Sequence, residues 1–409
     1  MSENIGLNKA KVWIPAFRAG ILIVLQRYHF FLAGCQNIAN FDHLNIYLKS
    51  MNLNTQKLHR QGVSIWLDNI TRNMLDNGVL HQYITELSIT GLTSNPSIFE
   101  AAIAKTSYYD EAIKRISDRN LSDEDLFFSL AIEDIQRAAD FFLPVYQRTN
   151  GLDGFVSIEV SPLLAYDTEN TIKAALDIHQ KVNRPNAFIK IPGTPEGLPA
   201  IEKAIAAGIP VNVTLLFSAE QYEAAAMAYL RGAERRVEQG LNPDVRSVAS
   251  VFVSRWDKAV SDKVPAELQN QMGLAVMQKT YHSYLKFLQS ERVQQLTNFG
   301  VFPQRILWAS TGTKDPLASD VLYVANLIAP YSVNTMPENT LLAYADHGNT
   351  ADPLTGDKTA AENMISRIEG YSVNYQTLAE QLQREGAESF NKSWNNLIGS
   401  IALKRQSIK

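Results

Sequence analysis

The 409-residue sequence holds one cysteine, Cys35. A lone cysteine excludes an internal disulfide framework and a zinc cluster built on thiolates. An excess of charge of one sign is also missing. Lys and Arg number 38 against 42 Asp and Glu, a net charge of −4, so no basic surface points to nucleic acid. No clean apolar span of membrane length stands out: Gly20–Leu25 is apolar, but Arg18, Gln26, Arg27 and His29 bound it. Internal repeats and low-complexity tracts are absent. What is present is 45% hydrophobic and 20% charged residues, the balance of an ordinary globular core. The length suits one large domain or two smaller ones. Together these traits fit a cytoplasmic soluble enzyme with no nucleic-acid or membrane partner.

Residues 1–50 differ from the rest. Leu32-Ala33-Gly34-Cys35, after a basic start and an apolar stretch, is similar to the lipid-attachment signal of bacterial lipoproteins, but Arg27 and His29 break the apolar region such a signal requires. Two other readings stand beside it. One takes Met51 as the real start, and the other takes residues 1–50 as a poorly ordered extension. The Met51 reading is preferred. The expected organisation is an extension at 1–50 and one domain at 51–409.

The segment Asn186–Leu198 sets Lys190 inside a short apolar run, Ala187 to Ile191, that Pro192 and Gly193 end at once. Such a run reads as a buried strand stopping in a loop. Lysine is seldom buried unless paired or used. Burial disfavours its charged form, and a neutral amine attacks carbonyls to form Schiff bases. The bland alternative is a lysine at a strand end that reaches to water along its own stem.

From Ser64 onward short apolar runs alternate with longer amphipathic stretches. The expected strands are Ser64–Asn69, Ile89–Asn95, Gly154–Val160, Ala187–Pro192, Val211–Phe217, Ser247–Ser254, Arg305–Ser310 and Tyr331–Met336. Runs of this kind separated by helices indicate parallel strands covered on both faces. Ser122 with Asp125, and Ser218 with Gln221, mark helix starts, and Gly240 marks an end. Val264–Gln295 reads as two helices. Residues 357–405 read as further helix, broken at Gly370 and Gly386. Eight strands alternating with helices predict an α/β fold, a (β/α)8 TIM barrel with extra C-terminal helices. The alternative, an open doubly wound sheet, would carry a glycine-rich phosphate turn after its first strand; SIWLDNITRN has none.

Residues two apart on a strand share a face. That pairs Trp66 with Asp68, Thr93 with Asn95, Ser157 with Glu159, Asn212 with Thr214, and Ser250 with Phe252. Polar residues thus gather near strand ends: Asp68, Asn95, Glu159 and Lys190, then Asn212, Thr214, Ser250 and Ser310. In such barrels the C-terminal strand ends build the active site. Each residue alone has a plain explanation. Asp68 reads equally as a helix cap, Asn95 as a turn former before Pro96, and Asn212 as a satisfied core amide.

Two segments, Gly91-Leu92-Thr93-Ser94-Asn95-Pro96-Ser97 and Ile189-Lys190-Ile191-Pro192-Gly193-Thr194-Pro195-Glu196-Gly197-Leu198, resemble the two signature segments of transaldolases. SIWLDN, VNVTLLFS and EGAESFNKSW are similar to the longer, type 2 members in particular. The resemblance runs from about residue 58 to about 403. It implies that Lys190 forms the Schiff base at C2 of a ketose phosphate such as sedoheptulose 7-phosphate. It implies that Asp68 takes the C4 hydroxyl proton as the C3–C4 bond breaks. Glu159 and Thr214 resemble the pair that positions water for imine formation and release. Asn95 and Asn212 resemble the asparagines on the dihydroxyacetone hydroxyls, with Thr93 counted among the substrate-binding residues. Ser250 and Phe252 match pocket walls, and Arg255 and Ser310 match phosphate positions. Glyceraldehyde 3-phosphate then accepts the unit, and fructose 6-phosphate leaves.

An iminium is itself an electron sink, so no metal and no cofactor is expected. The sequence departs from the shorter transaldolases after Ser310, where they place an arginine. Here Lys314 reads either as its replacement or as a solvated loop lysine, and Arg255 has a structural ion pair as its plain alternative. His347 is expected in the loop after the eighth strand. Sugar phosphates are the expected partners, the chain acting as a monomer or homodimer. Two rival functions remain: an aldolase releasing free dihydroxyacetone, and a sugar-phosphate-binding barrel without catalysis.

Overall fold

A computed structural model describes residues 51–117 and 121–408. The readings of residues 1–50 lie outside the described residues. Eight parallel strands close into a barrel in chain order: β1 (Ser64–Asp68), β2 (Ile89–Thr93), β3 (Val156–Glu159), β4 (Ala187–Pro192), β5 (Val211–Leu216), β6 (Ser247–Phe252), β7 (Arg305–Ala309) and β8 (Val333–Met336). β1 pairs with β8, so the sheet has no free edge. All eight expected strands are present. Several are shorter at their C-terminal ends, and that trimming matters for the site.

The inward face is layered. Its lower part is aromatic. Trp66 lies over Gly91, where a Cβ would fall 2.5 Å from the indole, so only glycine fits between β1 and β2. The Trp66 Nε1 donates to Asp153 Oδ1 at 2.7 Å, which satisfies the one polar atom of a fully buried ring. Phe188 stacks on Phe155 with centroids 4.1 Å apart. Below them Arg305, 9% exposed, donates to Leu152 O, Tyr331 O and Ser332 O and to Ser64 Oγ. The N-terminal end of the barrel is therefore filled, and side chains two residues further along each strand face the open end.

Caps set the helices as the residues dictate. Ser122 caps Asp123–Arg148 and Ser218 caps Ala219–Glu238, which ends before Gly240 in the left-handed region. Val264–Gln295 contains two helices, Met272–Gln289 and the start of Glu291–Asn298. Gly370 closes Lys358–Glu369 as expected. Gly386 does not break its helix. Tyr375–Ile408 runs 34 residues without interruption, because Gly386 faces Leu215, and a Cβ there would lie 3.0 Å from Leu215 Cδ2. Here glycine serves close approach, not termination. This helix spans about 50 Å at 1.5 Å per residue and roofs part of the barrel mouth. It is pinned at one end by Tyr375, whose hydroxyl donates to Glu220, and at the other by Lys404, which donates to Ile103 O and pairs with Asp110 at 2.8 Å. Among the described residues no helix is long and apolar enough to cross a membrane.

Candidate active site

A cavity of about 200 Å³ opens at the C-terminal end of the strands. Lys190 enters it from β4 and is 6% exposed. Its Nζ donates to Ser94 O at 2.7 Å and stands 3.6 Å from Glu159 Oε2. It does not reach along its stem to bulk water, so the bland reading of Lys190 does not hold.

Glu159 lies on β3, in register with Lys190, and is 7% exposed. It is one of the expected residues that does not line the cavity; it stands behind the lysine. Among the described residues neither carboxylate oxygen has a hydrogen-bond partner. Burial raises its pKa, and the Lys190 charge offsets that only in part. Asp68, at the end of β1, is not a helix cap. It accepts from Thr93 Oγ1 at 2.7 Å and, over 3.4 Å, from Asn95 Nδ2. Burial pushes its carboxyl above the ordinary range, against the pull of Lys190, Thr93 and Asn95. Two carboxyls with raised pKa values beside one lysine mark a place built for proton transfer.

Asn95 is not on a strand. β2 stops at Thr93, and Asn95 caps the helix Pro96–Lys105, accepting from Ile98 N at 3.2 Å. Proline at the first helical position fixes that turn. Asn95 still lines the cavity, through its amide nitrogen. Asn212 is fully buried between two hydroxyls: its Nδ2 donates to Ser157 Oγ at 3.2 Å, and its Oδ1 accepts from Ser250 Oγ at 2.7 Å. The satisfied-amide reading is thus partly right, yet Asn212 and Ser250 both line the cavity. Thr214 lines it too, and its Oγ1 is buried without a hydrogen-bond partner among the described residues.

Phe252, Arg255, Ser310 and Lys314 form the outer wall. β6 ends at Phe252, so Arg255 sits in the first turn of the helix Ser254–Val260 and not on a strand. It is not an ion pair either. Among the described residues it makes no hydrogen bond or salt bridge, and its guanidinium lies 5.6 Å from the Phe252 ring centroid. Burial lowers its pKa, partly countered by Glu385. Ser310 has φ 57° and shares a hydrogen bond with Ser254 at 2.9 Å. Lys314 is exposed at the rim. His347 falls outside this group; it ends the helix Glu338–His347, with its ring between Asp346 and Asp320.

Several lining residues were not anticipated. Ser389, Phe390 and Ser393 come from the roof helix, and Thr335 of β8 shares a 2.7 Å hydrogen bond with Thr93. Thr335 carries the same signal as its neighbours, a polar residue near a strand end. The roof residues lie within EGAESFNKSW, where two serines four apart flank Phe390 on one side of a helix.

Comparison with known proteins identifies the family. A family model described as transaldolase/fructose-6-phosphate aldolase matches residues 65–401. The transaldolase of Thermobifida fusca is 43% identical over 356 residues, covering 85% of this chain and 97% of the relative. That of Saccharopolyspora erythraea is 40% identical over 357 residues (86% and 97%), and that of the cyanobacterium Trichodesmium erythraeum is 41% identical over 366 residues (85% and 96%). The chain belongs to the transaldolase/fructose-6-phosphate aldolase family.

Proposed function

We propose that this protein is a transaldolase of the non-oxidative pentose phosphate pathway. It moves a dihydroxyacetone unit from sedoheptulose 7-phosphate to glyceraldehyde 3-phosphate, giving erythrose 4-phosphate and fructose 6-phosphate. The observation that carries this reading is the placement of Lys190 Nζ, buried in the cavity 3.6 Å from Glu159 and facing Asp68.

In this mechanism the Lys190 amine attacks C2 of the ketose, and loss of water gives the iminium. Asp68 accepts the C4 hydroxyl proton, the C3–C4 bond breaks, and its electrons pass to the iminium nitrogen. The aldose phosphate leaves and an enamine stays on Lys190. C3 of the enamine then attacks the acceptor aldehyde, Asp68 returns its proton to the new hydroxyl, and water releases the product. Acid–base help of this kind contributes roughly 10²–10⁴-fold. Glu159 and Thr214 position the water that leaves and returns; their side-chain oxygens are buried with no hydrogen-bond partner among the described residues. Asn95 and Asn212 hold the dihydroxyacetone hydroxyls, with Thr93 keeping Asp68 in place. Ser250 and Phe252 wall the pocket. Arg255 and Lys314, neither in a salt bridge among the described residues, take the phosphate with Ser310. The single cysteine fits work in the reducing cytoplasm, as a monomer or homodimer.

Borohydride trapping tests the reading. Protein incubated with fructose 6-phosphate and reduced should carry a dihydroxyacetone-derived adduct on Lys190, read by peptide mass. No adduct in a folded sample that binds the sugar phosphate refutes it and leaves a non-catalytic binding barrel. Net release of dihydroxyacetone without an acceptor aldehyde, at the rate of transfer, would make the enzyme an aldolase instead.

A further inference from the structure

We propose that Gln383, on the roof helix, is a positioning residue that sets the aim of Thr214. The inference rests on the role given to Thr214 above.

β5 is irregular where Thr214 sits. Its register with β6 breaks between Val213 and Leu216, and Leu215 stands at φ 59°. A leucine in the left-handed region is strained and persists only where its surroundings hold it. Irregularities of this kind redirect a strand side chain. Here they coincide with a threonine that lines the cavity and whose Oγ1 is buried without a partner.

Gln383 supplies the restraint. It is 8% exposed, and its Nε2 donates to Leu215 O at 2.9 Å and to Gly193 O at 3.1 Å. The two carbonyls belong to different segments, the irregular end of β5 and the loop that leaves β4. The same two segments are joined directly, since Gly193 N donates to Thr214 O at 2.7 Å. One amide thus closes a clamp on both sides of Thr214 and on the strand end that carries Lys190. Two glycines permit the close approach. A Cβ on Gly193 would fall 2.4 Å from Leu216 Cδ2, and Gly386, one turn along the helix from Gln383, lies against Leu215. Without the glutamine, two buried carbonyls lose a donor and the strained leucine loses its hold. Gln383 does not line the cavity, so it acts only through what it holds.

The test is a double-mutant cycle with Gln383→Met, which keeps length and burial but removes both donors, and Thr214→Val. Gln383→Met should lower kcat for transfer from fructose 6-phosphate roughly 10- to 100-fold, the scale for a misplaced group. The rate of adduct formation on Lys190 should fall in step. Affinity for hexitol 6-phosphate, which carries the phosphate but no carbonyl, should not change. In the double variant the loss should equal that of Thr214→Val alone. Losses that multiply, an unaltered kcat in Gln383→Met, or weaker hexitol phosphate binding would each overturn the inference while leaving the proposed activity intact. Full activity in Thr214→Val would refute the role of Thr214 and this inference with it. If Gln383→Met does not fold, Gln383→Asn, whose amide falls one methylene short, takes its place in the same cycle.

Discussion

Arg255→Met separates phosphate binding from the chemistry at Lys190. The guanidinium is partly buried against the Phe252 ring, its pKa lowered by that burial, with no hydrogen bond or salt bridge among the described residues. A charge held that way gains most from an anionic ligand, since the ligand supplies the partner the fold does not. A hydrogen bond to a charged group contributes about 1.5–3 kcal/mol net. At 1.4 kcal/mol per decade, that loss lowers kcat/KM for a phosphorylated ketose by about 10- to 150-fold. Lys314 is exposed, so Lys314→Met should cost about 1 kcal/mol or less, roughly fivefold, and the effect should fade with added salt.

The assay compares fructose 6-phosphate with unphosphorylated fructose as donor, at low and high ionic strength, in both variants. Arg255→Met should lose efficiency only with the phosphorylated donor. Its melting temperature without substrate should not fall, because methionine removes an unpaired, partly buried cation. Equal losses on both donors would show that Arg255 serves the fold or the chemistry. A larger, salt-sensitive loss at Lys314 would move the phosphate to the rim.

Glu159→Gln should flatten the pH dependence of stability. Burial raises the folded pKa of Glu159, so the stability tied to its proton is whole below the unfolded pKa and is lost as pH rises through the folded one. Melting curves from roughly pH 4 to 8 should show the wild type losing more stability than the variant with rising pH; parallel curves refute this. Asp134→Ala should destabilise by about 3–5 kcal/mol in urea titrations. Asp134 is fully buried and holds Arg72 Nε at 2.9 Å and the Tyr109 hydroxyl at 2.8 Å, so its loss leaves the buried Arg72 charge only the longer salt bridge to the more exposed Glu133, at 3.3 Å, and leaves the Tyr109 hydroxyl without its acceptor. A cost under about 1 kcal/mol would refute that account.

The strands were legible because each is a short apolar run bounded by turn residues, and burial on both faces leaves no other use for such runs. The inward polar residues were legible because strand alternation is strict. Once Trp66 faces in, so does Asp68, and once Phe188 does, so does Lys190. The misreadings share a cause. Asn95 continues the alternation of β2 on paper, but Pro96 starts a helix and makes Asn95 its cap. Gly386 looks like a helix break because glycine usually is one; what it meets is Leu215, 171 positions earlier in the chain. Gln383 and Gly193 are 190 positions apart. Helical periodicity tells which side of the roof helix is buried, never over which strand it comes to rest.

The electrostatics of the site make sense only over the whole reaction cycle. Burying two carboxylates near each other is costly unless a cation stands between them, and among the described residues Lys190 is the cation that attracts both Asp68 and Glu159. In the proposed mechanism the Lys190 nitrogen carries a positive charge as the iminium, and the two carboxyls already in place beside it face that charge with no reorganisation. The charge disappears only when the amine must be neutral to attack and when the enamine forms. At those moments both carboxyls lose the cation that offsets their burial, and each holds a proton more tightly. In the proposed mechanism the enamine removes the positive charge that opposes burial at Asp68 just after Asp68 has taken the C4 proton. If Asp68 is the acid–base group proposed above, its burial favours keeping that proton until the acceptor aldehyde arrives, and the iminium charge that re-forms on Lys190 as the new C3–C4 bond is made favours its return to the C4 hydroxyl.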